Sequence, residues 1–201
     1  KSFPVMQAEL ANTATSGLVV TIGNFDGVHR GHQKIIERVK AISSVNGWMA
    51  VVVTFREHTA KVLGAETPGL IMSMEERCAI FAEMGIDGVL LLDFTPELAA
   101  LAPTCFLDRL LALGVRALVV GHDFTFGAGG AGDTNLVLSY MRKQGLHGEV
   151  VPPVKVQGRI VSSTRIRTFL QTGQLDTANA MLNRPFCLSG IVRRGQGLGK
   201  V

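Results

Sequence analysis

Cysteine, long apolar runs and concentrated charge are all scarce in this chain, and each scarcity removes a class of protein. The three cysteines, Cys78, Cys105 and Cys187, are far apart, odd in number and outside any CxxC spacing. That argues against a disulfide framework and predicts buried free thiols in a reducing compartment. No apolar run reaches the roughly 18 residues that a membrane helix needs, and the opening Lys1-Ser2-Phe3-Pro4 lacks the apolar stretch of a signal peptide. A cytoplasmic protein with no membrane partner is therefore expected. Charged residues make up only 18% of the chain, and its lysines and arginines are scattered. The net charge of +4 and pI of about 9.2 suit an anionic ligand, but without a basic run they describe a solvated surface and not a nucleic-acid face. There is no GxSxG, no zinc-ligand spacing, no internal repeat and no low-complexity tract.

What the chain has in quantity is apolar residues, 47% of 201, enough for one α/β domain, or one domain and the start of a second. Near-continuous apolar runs at 18–23, 50–55, 88–93 and 117–121, with a weaker one at 149–151, read as strands covered on both faces and hence parallel. Helical spacing fills the intervals. Residues 31–46 carry Ile35, Ile36, Val39 and Ile42 on one face, with Gly47 beyond. Ser73-Met74-Glu75-Glu76 is a capping box that opens a helix through Met84. Segments 103–113 and 135–143 complete a βαβα rhythm, which predicts a Rossmann-like, doubly wound parallel sheet. Ligands in such sheets bind beyond the carboxyl ends of the strands. After Pro152 two short helices, 162–170 and 175–182, form a C-terminal helical subdomain, and 186–192 reads as a strand.

Three segments carry chemistry. The loop after the first strand runs Gly23-Asn24-Phe25-Asp26-Gly27-Val28-His29-Arg30-Gly31-His32. A helix N-terminus presents unpaired N–H groups and partial positive charge to an anion. Gly31 removes a side chain where a phosphate could approach, and His29 and His32, three apart, project to one side of the first turn. Imidazoles there can hydrogen-bond phosphate oxygens as charge grows in a transition state. A lone histidine would read as an ordinary surface or core residue; two around a glycine at this place read as a site. A metal site is the further alternative, but no cysteine or carboxylate stands at ligand spacing.

The second segment is Ser162-Ser163-Thr164-Arg165-Ile166-Arg167. Its hydroxyls either cap a helix or bind phosphate, and Arg167 can reach back to the same end. The third is Gly121-His122-Asp123-Phe124-Thr125-Phe126-Gly127, where two aromatics beside an acid make either a pocket for a planar ring or a loop that plugs the core. Gly127-Ala128-Gly129-Gly130-Ala131-Gly132 matches GxGxxG but lies away from the first βα turn, so it reads as a flexible loop. Gly197 to Val201 lacks the leading glycine and the hydroxyl of a P-loop.

Together these segments resemble the N-terminal module of the bacterial bifunctional riboflavin kinase/FMN adenylyltransferases, the prokaryotic FAD synthetases, within the HxGH nucleotidyltransferase superfamily. The resemblance rests on GxFDGxHxGH at 23–32, GxDFxFG at 121–127, SSTxIR at 162–167, and Arg184-Pro185-Phe186 leading to Gly190-Ile191-Val192. It runs over about residues 17–200 with the motifs in the family's order. It implies transfer of AMP from ATP to FMN, giving FAD and pyrophosphate. His29, His32 and Arg167 would be catalytic. Gly23, Asn24, Phe25, Asp26, Gly27, Gly31, Ser162, Ser163 and Thr164 would bind ATP. His58, Asp123, Phe124 and Phe126 would seat the flavin. Mg²⁺ would accompany ATP, held mostly by phosphates and water, with no protein ligand assigned.

The chain departs from the family in two places. Where the family shows Pro-His-Pro after the second strand, this chain has Glu57-His58-Thr59, with the histidine kept and both prolines gone. The family continues into a β-barrel kinase module with a Pro-Thr-Ala-Asn motif, which these residues lack. Residues 1–184 are thus expected to be the FMN adenylyltransferase domain and 185–201 an incomplete start of the barrel, without riboflavin kinase activity. The competing readings are a related adenylyltransferase with another phosphorylated substrate, and a non-catalytic flavin- or nucleotide-binding module.

Overall fold

The computed structural model describes residues 17–56, 59–62, 64 and 68–190. Five strands, β1 (Leu18–Ile22), β2 (Met49–Phe55), β3 (Gly88–Leu92), β4 (Val115–Gly121) and β5 (His147–Val151), pair in parallel in the order β3-β2-β1-β4-β5. The alternation of a pleated strand explains the layers. Val51 and Val53 face one side, against Phe106, Leu107 and Leu110 of α4 (Pro103–Leu111) and Val137 and Met141 of α5 (Thr134–Lys143). Ala50 and Val52 face the other, against Val39 and Ile36 of α1 (Arg30–Asn46) and Phe81 of α2 (Met74–Glu83). With helices on both faces, the strands must be apolar throughout, as the sequence has them. The expected α/β, Rossmann-like, doubly wound sheet is what forms.

The chain reverses direction across the sheet between β1 and β4, which opens a crevice at their carboxyl ends. The two short helices α6 (Ser163–Gln171) and α7 (Leu175–Leu182) close one side of it. They have their own small core of Val161, Ile166, Phe169, Ala178, Met181 and Leu182, joined by Ile71 from the loop before α2.

The structure departs from the sequence reading in five respects. A one-turn helix α3 (Pro96–Ala99) lies between β3 and α4, capped by the Thr95 side chain. A hairpin of β6 (Lys155–Val156) and β7 (Arg159–Ile160) precedes α6. Its turn residues Gln157 and Gly158 take φ of 50° and 76°, a geometry that Asn-Gly would have advertised and Gln-Gly does not. The glycine-rich loop is pinned where a flexible one was expected: Phe126 and Gly132 exchange both backbone hydrogen bonds, at 3.0 and 2.9 Å, and Ala128 N–H donates to Leu101 O. Gly127, with φ of 75°, lets this loop cross Pro103, whose Cα would lie 2.9 Å from any Cβ.

The strand expected at 186–192 does not form over its described part. Phe186 N–H donates to Asn179 Oδ1, Ser189 Oγ donates to Glu76 Oε1, and Leu188 is exposed, so no neighbouring strand among the described residues supplies a ladder. The rest of it lies outside the described residues, as does His58. The cysteines are free as expected but not buried: Cys78 is half-buried and Cys105 and Cys187 are exposed. In α4 the apolar stripe of Phe106, Leu107 and Leu110 points inward and leaves Cys105 outside.

Candidate active site

A cavity of about 800 Å³ occupies the crevice. The loops after β1 and β4 and the start of α6 all reach it. Gly23, Asn24, Phe25, Asp26, His29, Gly31, His32, Asp123, Phe124, Phe126, Ser162, Ser163, Thr164 and Arg167 line it. Gly27 is set apart from the cavity: a Cβ there would meet Ile71 and Leu182 at 3.1 and 3.3 Å.

The histidine pair is built by the first turn of α1. His29 is the N-cap, with its Nδ1 accepting from His32 N–H at 3.3 Å. An acceptor nitrogen carries no proton, so the neutral ring keeps its hydrogen on Nε2. The His32 ring stacks on it at 3.6 Å with 15° between planes. Gly31 makes this possible, because a Cβ there would meet the His29 ring at 3.1 Å. Phe25 supports the other ring edge-on, 5.0 Å from His32, and rests in turn on Phe81. Burial pushes the His29 pKa down to about 4, against the opposing pull of its backbone contact and of Asp123 and Asp26. Burial also holds His32 well below the ordinary range, helped by His29 and Arg77. Two neutral imidazoles therefore face the cavity near pH 7, able to donate hydrogen bonds without first repelling each other as cations.

At the start of α6 the hydroxyls divide their work. Ser162 caps the helix, accepting from Arg165 N–H, and Ser163 Oγ donates to Asp26 O at 2.8 Å. Arg167 is anchored and does not hang free. Its Nη2 lies 2.6 Å from Asp26 Oδ2, and its Nε donates to Gly69 O at 2.7 Å. Asp26 is buried, and its carboxylate also accepts the amides of Ile71 and Met72. The carboxylate thus holds Arg167 in place beside the cavity.

The other end of the cavity is aromatic. Phe124 and Phe126 stack at 5.3 Å, Phe106 tilts against Phe126, and Phe55 meets Phe94 edge-on. Asp123 is exposed and lies toward His122. Two helix N-termini with an arginine, and aromatic rings, in one cavity suit a phosphorylated aromatic ligand.

Three contributors escaped the sequence reading. Arg77 is buried, donating to Asn24 O at 2.6 Å. Its signal was present: it interrupts the apolar face of α2 four residues before Phe81. Thr59 Oγ1 accepts from Asn24 Nδ2 at 3.2 Å, a bond that the family's proline could not make. Phe94, beside Thr59 and Phe55 in the cavity wall, follows a strand too closely to stand out.

The family model for FAD synthetase matches residues 11–165, most of the chain. This chain belongs to the FAD synthetase family. The bifunctional riboflavin kinase/FMN adenylyltransferase of Pseudomonas fluorescens is 38% identical over 92% of this chain, which spans 60% of that relative's length. Among solved structures, a protein from Streptococcus pneumoniae described as a macrolide-efflux protein superposes with a TM-score of 0.77 at 28% identity, over 86% of this chain and 66% of that one. No helix among the described residues of the present family member is long and apolar enough to cross a membrane. The pantothenate synthetase of Thermus thermophilus shares the fold, with a TM-score of 0.53 at 20% identity over 86% of this chain and 68% of that one.

Proposed function

We propose that this chain is the FMN adenylyltransferase module of a FAD synthetase: it transfers AMP from ATP to FMN, and pyrophosphate leaves. The observation that carries this reading is the stacked, neutral His29–His32 pair on a helix N-terminus, in the same cavity as an anchored arginine and an aromatic end. The family membership supports it. The ATP phosphates lie between the histidine loop and the start of α6. An FMN phosphate oxygen attacks the α-phosphorus in line, and the bond to the bridging oxygen breaks with its electron pair on pyrophosphate, so no proton need move. His29 and His32 donate N–H groups to the α-phosphate as its charge redistributes. Arg167 and Thr164 meet the leaving phosphates, and Phe124, Phe126 and Asp123 border the flavin. Mg²⁺ enters with ATP. It would neutralise charge on the triphosphate and be held mostly by the phosphates and water. The free thiols support a reducing, cytoplasmic setting. We assign 1–184 to the transferase domain and 185–201 to the beginning of a barrel.

The test is chromatography after incubation of the 201-residue chain with ATP, Mg²⁺ and either FMN or riboflavin. FAD from FMN and not from riboflavin is expected; no FAD from FMN overturns the proposal. His32→Ala is expected to lower turnover by on the order of 10²-fold, as removal of an oxyanion donor does. Near-normal turnover would take His32 out of the mechanism.

A further inference from the structure

The turn that delivers the histidine pair is strained. Phe25 and Val28 take φ of 50° and 36° without being glycine, and for a β-branched residue such as Val28 that is a true outlier. Such a turn persists only where its surroundings over-determine it. Much of the restraint comes from the far end of the described chain. Arg184 Nη2 donates to Gly27 O at 2.7 Å, and its Nη1 to Val28 O at 3.3 Å and Leu182 O at 3.2 Å. Gln33 Nε2 donates to the same Val28 and Leu182 oxygens, and Asn183 Nδ2 donates to Gln33 Oε1. Arg30 Nε adds a bond to Ala180 O. Arg184 itself stands outside the cavity lining.

We infer that Arg184 is a positioning residue: its planar fork across the carbonyl oxygens of Gly27 and Val28 fixes the strained turn that presents His29 and His32. The consequence for turnover rests on the proposed adenylyl transfer. The geometry of the fork is what matters, not its charge. A lysine at the same place keeps the charge and the stem but has no rigid fork to span two adjacent carbonyls. The residue follows α7 directly, so the helical subdomain carries the clamp for a loop more than 150 residues earlier.

Arg184→Lys and Arg184→Met decide it, each measured for FAD formation from FMN and MgATP, FMN affinity by flavin fluorescence, thermal midpoint, and amide hydrogen exchange. Arg184→Lys is expected to lower kcat about 10-fold or more, because small misplacements of reacting groups are costly. FMN affinity should stay within about twofold and the midpoint nearly unchanged, with exchange at residues 25–32 about tenfold faster than in the parent. A lysine variant with parental kcat and parental exchange overturns the inference. So does a loss that falls equally on FMN affinity, midpoint and kcat, since that marks a general structural role. If the methionine variant fails to fold, the lysine variant carries the test. If the parent makes no FAD, the proposed chemistry fails, while the exchange comparison still tests the clamp.

Discussion

Replacing His29 by asparagine is expected to reduce FAD formation by about 10²- to 10³-fold while leaving α1 intact. The two roles of His29 separate in this substitution. As N-cap, its Nδ1 accepts from His32 N–H, and asparagine is among the best replacements for that task. In its proposed role as donor to the α-phosphate it would use Nε2–H, which the shorter side chain cannot place. Removing one such preorganised donor costs about 2.7–4 kcal/mol of transition-state stabilisation. Steady-state kinetics with FMN and MgATP check it: kcat should fall far more than KM rises. A variant that turns over normally would leave His29 as a cap alone.

The same substitution carries a pH signature. The His29 pKa is about 4 in the folded protein, whereas an unfolded histidine titrates near 6.5. Between those values the unfolded chain holds the extra proton, so stability rises with pH across the window. It is fully present above pH 6.5 and is lost as pH falls toward 4, by about 3 kcal/mol at the lower end. His32 is shifted in the same direction and adds to this slope. Thermal unfolding from pH 7 to 4 should therefore be flatter in His29→Asn than in the parent. Identical slopes would show that His29 is not held neutral by burial.

Asp26→Ala is expected to destabilise the fold by about 3–5 kcal/mol, the usual cost of leaving one member of a buried ion pair uncompensated. Arg167 is only 14% exposed in its side chain and Asp26 2%, and the pair closes at 2.6 Å. The loss includes the Ile71 and Met72 amides, whose acceptor disappears. For a chain of this length the thermal midpoint should fall by roughly 10 °C. Turnover should fall too, because Arg167 loses the contact that aims it. The double variant Asp26→Ala, Arg167→Met should be less destabilised than the two single changes summed, since it removes both charges. Strict additivity would mean that the pair is not energetically coupled.

The site was legible in types and order, less so in contacts. His29 and His32 were readable because a strand, a glycine turn and a helix follow one another within fifteen residues, a local signal. The family resemblance of the same loop implies an ATP contact for Asp26. The fold uses its carboxylate on Arg167, 141 residues away, and on two amides of another loop. Nothing in the sequence near Asp26 announces that partner. Arg184 stood in a motif, Arg-Pro-Phe, but its role depends on which carbonyls the turn exposes, and that follows from the positive φ of Val28. Arg77 was hidden in a capping-box helix because buried arginines are rare and its acceptor, Asn24 O, belongs to a different loop.

The hydrophobic pattern by itself determined the parallel strands, most of the helices and the loops at their carboxyl ends, because burial on both faces of a sheet forces an unbroken apolar run. The tertiary structure alone decided the strand order β3-β2-β1-β4-β5, and with it the crevice where the histidine loop and the Asp123 loop meet. It also decided the protonation of the histidines. Burial makes both rings neutral, the Nδ1 contact leaves the His29 hydrogen on Nε2, and burial is a property of the packed molecule that no residue carries on its own.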